Sequence, residues 1–279
     1  MTIRVRRLHA WTGITAVLVL LASPAAAQYK PRPLNDPATG ELFHIEASVG
    51  WWFPTADMSI TSGGSGALSG IAGTTIDAKK DLGFEDTRQA QFSLTLRPAT
   101  RHKFRAQVIP IGYTAQSTLR RDIVFNGQKY SVNLPVNSTF DWKAYRFNYE
   151  YDFIVRNRGF VGFIMEAKHT DVRVDLVAPG VTEFVHVRQP IPALGGVARV
   201  YVVPNISITG EVTGFLVPDS IDDRYRAHYV DVDIYGTVNF TNNIGVKGGY
   251  RSFDVGYHVD EDLGAFTLNG IYFGIVARY

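Results

Sequence analysis

Residues 145–153 read Tyr-Arg-Phe-Asn-Tyr-Glu-Tyr-Asp-Phe, and the reading of this stretch decides the fold. Tyr145, Phe147, Tyr149, Tyr151 and Phe153 alternate with Arg146, Asn148, Glu150 and Asp152. A period of two sorts side chains onto opposite faces of a β-strand, whereas a helix would scatter both kinds around its axis. One face of this strand is therefore all rings and the other all polar or ionised groups. The same sorting occurs at Val230, Val232, Ile234, Val238 and Phe240 against Asp231, Asp233, Tyr235, Thr237 and Asn239.

Outward from these two stretches, alternation broken by glycines recurs at 43–51, 90–96, 104–108, 161–167, 194–202, 206–216, 244–250 and 271–279. That makes ten strands, with eight or twelve as the bounds. Each alternating core is near the roughly 9 to 11 residues with which a tilted strand crosses a bilayer. Short connections at 98–101, 155–158, 204–205 and 241–242 carry turn-forming residues. They alternate with longer ones at 54–87, 117–138, 178–192, 218–225 and 258–263. This is the plan of an all-β, transmembrane antiparallel up-and-down β-barrel with short periplasmic turns and longer external loops. The even count returns the last strand to the side on which the first begins.

A soluble sandwich also alternates, but its inner face favours Val, Ile and Leu over rings. With the strand directions above, Trp51, Tyr113, Phe140, Trp142, Phe215, Tyr229, Tyr250 and Phe253 fall near the external ends. Phe43, Phe104, Tyr151, Phe153, Phe240 and Tyr279 fall near the periplasmic ends, so two lipid-facing aromatic girdles are expected. The opposite face carries Arg105, Arg146, Glu150, Glu166, Arg199, Glu211, Asp231, Asp233, Lys247 and Arg251. Facing lipid, each would be costly; facing an enclosed lumen, they can pair as a network that plugs the interior.

The chain opens with Arg4, Arg6 and Arg7, then an apolar run at 14–21, then Ala25, Ala27 and Gln28. This is the layout of a cleavable signal peptide cut before Gln28. The expected organisation is a signal peptide at 1–27, an extended periplasmic lead-in at 28–41 and a barrel at 42–279, placed in a bacterial outer membrane after export. Beyond residue 27 there remain 28 − 3 = 25 basic residues against 26 acidic ones, which suggests no nucleic-acid partner. The absence of cysteine removes disulfides and thiolate chemistry. The first loop holds Gly63, Gly64, Gly66, Gly70 and Gly73 and reads as mobile.

At the carboxy terminus Ile271, Phe273, Ile275, Ala277 and Tyr279 alternate up to a terminal aromatic. This resembles the terminal-strand signal of Gram-negative outer-membrane barrel proteins, with Tyr279 in place of the commoner Phe. The resemblance covers residues 42–279 and implies a barrel-assembly machinery as partner, alongside outer-membrane lipid and lipopolysaccharide. Lys79, Lys80, Arg120 and Arg121 are the cations expected near lipopolysaccharide phosphates. A monomer is expected.

No catalytic, cofactor or metal constellation stands out. Asp222, Asp223, His228, His258 and Asp260 lie beside the fourth and fifth loops, where a rim hydrolase resembling the omptin proteases would need paired acids and a His. A solvated loop tip is the better account of them, because acidic residues are common in exposed loops. Asp260, Glu261 and Asp262 with Asp219, Asp222 and Asp223 offer the oxygens a divalent cation wants, but they match no calcium-loop spacing. His44, His102, His169 and His186 are scattered, with no serine nucleophile placed beside them. The reading is a non-enzymatic barrel with a structural or surface-interaction role through its external loops. A narrow channel for small or hydrophobic solutes is the alternative, and the rim hydrolase comes third.

Overall fold

The computed structural model describes residues 38–64, 68, 70–217, 225–259 and 262–279. Its strands are β1 (Ile45–Thr61), β2 (Ile76–Asp77), β3 (Gln89–Ala99), β4 (His102–Thr118), β5 (Ile123–Phe125), β6 (Gln128–Tyr130), β7 (Pro135–Arg156), β8 (Gly159–Ala178), β9 (Val181–Val203), β10 (Ile206–Val217), β11 (Tyr225–Asn239), β12 (Ile244–Val259) and β13 (Asp262–Arg278). Ten of these run β1-β3-β4-β7-β8-β9-β10-β11-β12-β13, each antiparallel to its neighbour, and β13 pairs back onto β1 from Glu46↔Arg278 to Thr61↔Leu263. The chain is thus a closed ten-stranded antiparallel barrel, as its alternation requires. Closure leaves no sheet edge inside hydrocarbon, where an unpaired backbone group would be costly.

Four short turns gather at one end, here the turn end; the other, the loop end, carries the long connections 62–88 and 119–134 together with 179–180, 218–224 and 260–261, so the link expected at 258–263 shrinks to two residues. On the outer face an apolar row nine residues tall recurs around the wall: Ile45 to Phe53 on β1, Tyr145 to Phe153 on β7, Leu194 to Val202 on β9 and Ile271 to Tyr279 on β13. Phe147 is 58% exposed and Ile271 64%. A surface of such large side chains open to water would be an aggregation liability, and its height matches a bilayer crossing. All five residues of the terminal alternation, Ile271, Phe273, Ile275, Ala277 and Tyr279, lie on this outer row.

Above the band the outer face turns polar at the same height on strand after strand: Thr55 and Asp57 on β1, Lys143 and Asp141 on β7, Asp171 and Arg173 on β8. Ser252 and Asp254 on β12 bond to Asn269 (2.6 Å) and Thr267 (2.9 Å) on β13. The barrel therefore continues beyond the hydrocarbon. Among the described residues that extension is tallest in β7, β8 and β9, of 22, 20 and 23 residues, and lowest in β3 and β10, of 11 and 12.

Two expectations change here. Residues 178–192 form no long loop: β8 and β9 run on to a two-residue turn at Pro179-Gly180, with Gly180 at φ +81° where a side chain would be strained. The first two loops fold over the mouth instead of standing free. Ile76 and Leu82 from the first, with Ile123, Phe125 and Tyr130 from the second, are fully buried, as is Ser62. The β5–β6 hairpin turns at Asn126-Gly127, both at positive φ, the pairing that such a tight turn demands.

Candidate functional site

The interior is the largest concentration of chemistry in the molecule, and it divides at the height where the outer face changes. Along β7 the inward row reads Phe140, Trp142, Ala144 and then Arg146, Asn148, Glu150, Asp152, all buried. A strand's inward row keeps its parity, so the rings and the charges share one face. The same switch occurs between Lys168 and Val174 on β8, and between Arg251 and Phe253 on β12.

This corrects the external girdle. Tyr113, Phe140, Trp142, Tyr229 and Phe253 point into the barrel and Phe215 packs against that core, while Trp51 and Tyr250 do face outward. The inward rings stack on one another: Trp142 lies 5.0 Å from Phe253 and Phe140 5.5 Å from Phe266, centroid to centroid. Around the extension water lies outside, so the apolar groups bury themselves inside. At the turn end Phe104, Tyr151, Phe153, Phe240 and Tyr279 lie on the outer face or at its margin, but Phe43 is buried.

Below the rings lies the charged network. Arg146 is its hub: its guanidinium donates to Glu166 (2.9 and 2.5 Å) and to the Gln107 amide oxygen (2.9 Å), and it pairs with Asp231 at 3.0 Å. Arg251 forks onto the same Asp231 carboxylate, and the Tyr229 hydroxyl donates to it at 3.0 Å. Arg105 bridges Glu211 (2.7 Å) and Glu150 (3.0 Å). Arg199 donates to Thr209 (2.9 Å), and Tyr272 to Asp233 (2.8 Å). Lys247 lines the space between them. All ten residues expected in the lumen are there, and that space holds only about 40 Å³.

Sequence reading missed several members. Lys103 pairs with Glu150 (2.5 Å) and Asp152 (2.9 Å), and Arg278 with Glu46 (2.5 Å). Lys168 places its ammonium over the rings of Tyr229 (3.6 Å) and Phe253 (4.5 Å), joining the charged layer to the aromatic one by cation–π contact. Counting by two from Arg105, Glu166 or Glu150 finds Lys103, Lys168 and Asp152. Glu41 lies outside any strand and gives no such signal. It accepts from Tyr201 (2.8 Å), pairs with Arg97 and Arg199 (3.3 Å each), and closes the turn-end mouth.

At the loop end the cations expected to meet phosphate are engaged. Lys79 pairs with Asp86 and Lys80 with Asp77, each at 2.8 Å, and Arg121 forks onto Asp81 at 3.0 and 2.6 Å. The Arg121 guanidinium holds the Asp81 carboxyl below the usual carboxylate range. His228 stands 3.6 Å from Asp254 on the outer wall. Its expected companions Asp222, Asp223 and Asp260, like Asp219 and Glu261, lie outside the described residues, as do the leader residues Ala25, Ala27 and Gln28. Among the described residues no three acids or histidines gather as a metal would need.

No family model matches the chain, and no curated protein matches it in sequence. Among solved structures it is similar to the outer membrane protease OmpT of Escherichia coli, with a TM-score of 0.55, 9% identity, and coverage of 84% of this chain and 96% of that one. The fold is that of outer-membrane β-barrels. At 9% identity the likeness carries the architecture alone. The Pseudomonas putida toluene transporter TodX overlaps 88% of this chain and 93% of its own at 8% identity, but a TM-score of 0.35 is too loose to bear on function.

Proposed function

We propose that this chain is a non-conducting barrel of the bacterial outer membrane whose sealed extension serves as a rigid interaction platform outside the cell. The observation that carries the reading is the double filling of the lumen. A packed aromatic core under two folded loops stands above a charge-paired network with room for about 40 Å³. A solute path would have to break both. Export by the leader at 1–27, delivery through the terminal alternation and contact with outer-membrane lipid belong to the same reading. With Lys79, Lys80 and Arg121 already paired, lipopolysaccharide phosphate is left Arg120, the member of that cation set without an ion-pair partner among the described residues. The role in this reading is non-enzymatic: His228, 3.6 Å from Asp254, faces outward from β11 and not into the lumen.

The test is conductance. Purified barrel in planar bilayers should give no discrete steps across a range of voltages, whereas reproducible unitary steps would return the channel reading. Hydrolysis of peptide or lipid that vanishes on His228→Ala would return the rim hydrolase.

A further inference from the structure

One stretch of the membrane band is hollow on its lipid side. In cross-strand register the outer row there reads Leu94, Ala106, Phe147, Ala167. A methyl group on each side of the Phe147 ring leaves unfilled the width that a larger side chain would cover. The result is a recess of about 530 Å³, floored by Ala106 and walled by Leu94, Leu96, Phe104, Phe147 and Met165. Leu96 and Phe104 stand at its turn-side end. On this surface only hydrocarbon can fill it and restore the dispersion contacts that bare apolar walls forfeit.

Below the recess the turn end is cationic. None of the four short turns, 98–101, 155–158, 204–205 and 241–242, contains an acid, and their cations are confined to the first two: Arg101, Arg156 and Arg158. Those two turns are neighbours, because β4 and β7 pair from His102↔Tyr151 onward and the Asp152 N–H donates to Arg101 O at 2.9 Å. Arg101 and Arg156 are exposed. Arg101 donates to the Phe153 carbonyl at 3.4 Å and Arg156 to the Val155 carbonyl at 3.1 Å, which takes one of the five donors on each guanidinium. Between these arginines and the recess lies the girdle. The Tyr149 hydroxyl and His102 Nδ1 share a hydrogen bond of 2.8 Å, and the Tyr151 ring lies 5.2 Å from that of His102.

The depths match a single lipid. Ala106 is five residues along β4 from Arg101, about 13 Å of height for a strand tilted by roughly 40°. Half of a hydrocarbon core is about 15 Å. A phosphate held at the turns therefore hangs its chain across the recess.

We infer that the outer wall over β3, β4, β7 and β8 is a binding site for one anionic phospholipid, its phosphate on Arg101 and Arg156 and an acyl chain in the recess over Ala106. Arginine forks match phosphate oxygens, and clustered cations at a membrane surface draw anionic lipid. A zwitterionic lipid brings the same phosphate, but its own cation would meet turns that hold arginine and no acid. The inference names the lipid class held by the barrel proposed above and rests on that reading for its place in a membrane.

The probe is dioleoyl-phosphatidylglycerol as a minor fraction of dioleoyl-phosphatidylcholine vesicles carrying the folded barrel, which is then released into detergent and weighed by native mass spectrometry. One phosphatidylglycerol should be retained with at least tenfold preference over phosphatidylcholine. Arg101→Gln with Arg156→Gln should cut that preference at least fivefold, while Arg101→Lys with Arg156→Lys keeps it within threefold of the parent. Ala106→Leu, which fills the recess from a lipid-facing position, should lower retention at least threefold. Val246→Leu, on the outer row of β12, should retain as the parent does. The inference is overturned if the parent shows no preference, if the glutamine pair keeps it, or if Ala106→Leu retains as much as Val246→Leu. Displacement by an equal amount of lipid A would overturn it by giving the site to another lipid, and displacement by inorganic phosphate at the same concentration would overturn it by showing that the recess holds nothing. Conductance measured on the same preparation keeps the two readings separable: a conducting barrel that retains phosphatidylglycerol sinks only the platform, and a silent barrel without preference sinks only the lipid site.

Discussion

The membrane band and the extension above it are built from the same ten strands with opposite rules. In the band, Phe147 faces out and Arg146 faces in; four residues higher on that strand, Lys143 faces out and Trp142 faces in. What changes is the solvent outside. Hydrocarbon gives nothing to a charge, so the band collects its charges in the lumen and satisfies them there. Water drives the rings of the extension inward, as in any soluble core. Because the inversion occurs at one height around the wall, the height itself marks the edge of the bilayer.

The largest break in this comparison comes from the band's hub. Arg146→Leu strands Glu166 and Asp231 in a closed lumen and should cost about 3 to 5 kcal/mol, read by equilibrium unfolding in phospholipid vesicles. A loss under 1 kcal/mol would mean that the network is open to water. Trp142→Ala, four residues up the same inward row, should cost a similar amount through a cavity, about 3 kcal/mol or more. Its damage should differ in place: limited proteolysis should open the extension while the band stays protected, and uniform cleavage would contradict the division.

Outer-face charges sharpen the contrast further. Ile275→Arg, at the centre of the outer row of β13, should cost about 2 to 4 kcal/mol. Val177→Arg, on the outer face near the top of β8, should stay within about 0.5 kcal/mol. Equal costs would remove the claimed bilayer edge.

The smallest effect sits at the loop clasp. Arg121 depresses the Asp81 carboxyl pKa in the folded state. Its stabilisation is therefore present above the unfolded carboxylate value near 4 and is lost as pH falls below that through the folded value. A surface pair of this kind contributes up to about 1 kcal/mol. Proteolysis of the first loop should accelerate below about pH 4 in the parent, and Asp81→Asn should already show the faster rate at neutral pH.

The ten strands were legible because alternation is local. Their lengths were not, because above the bilayer edge the outer row becomes polar and the inward row apolar, so a reading keyed to rings loses the strand. Phe140 and Trp142 were assigned to the lipid for this reason, although they share parity with Arg146. The lumen residues were legible from charge and parity. Their partners were not, since Arg146 meets Glu166 and Asp231 only through cross-strand register. The full height of β9 was hidden too, because the stretch 178–192 was read as a loop.

Trp51 and Trp52 sit side by side on β1 at one depth and face opposite ways, Trp51 42% exposed and Trp52 1%. Chains keeping only one of them, with the other tryptophans replaced by Phe, can be folded into vesicles whose acyl chains carry bromine. Strong quenching of Trp51 and near-parental emission from Trp52 is the result the inversion requires. Equal quenching of the two, or quenching of Trp52 alone, would contradict it.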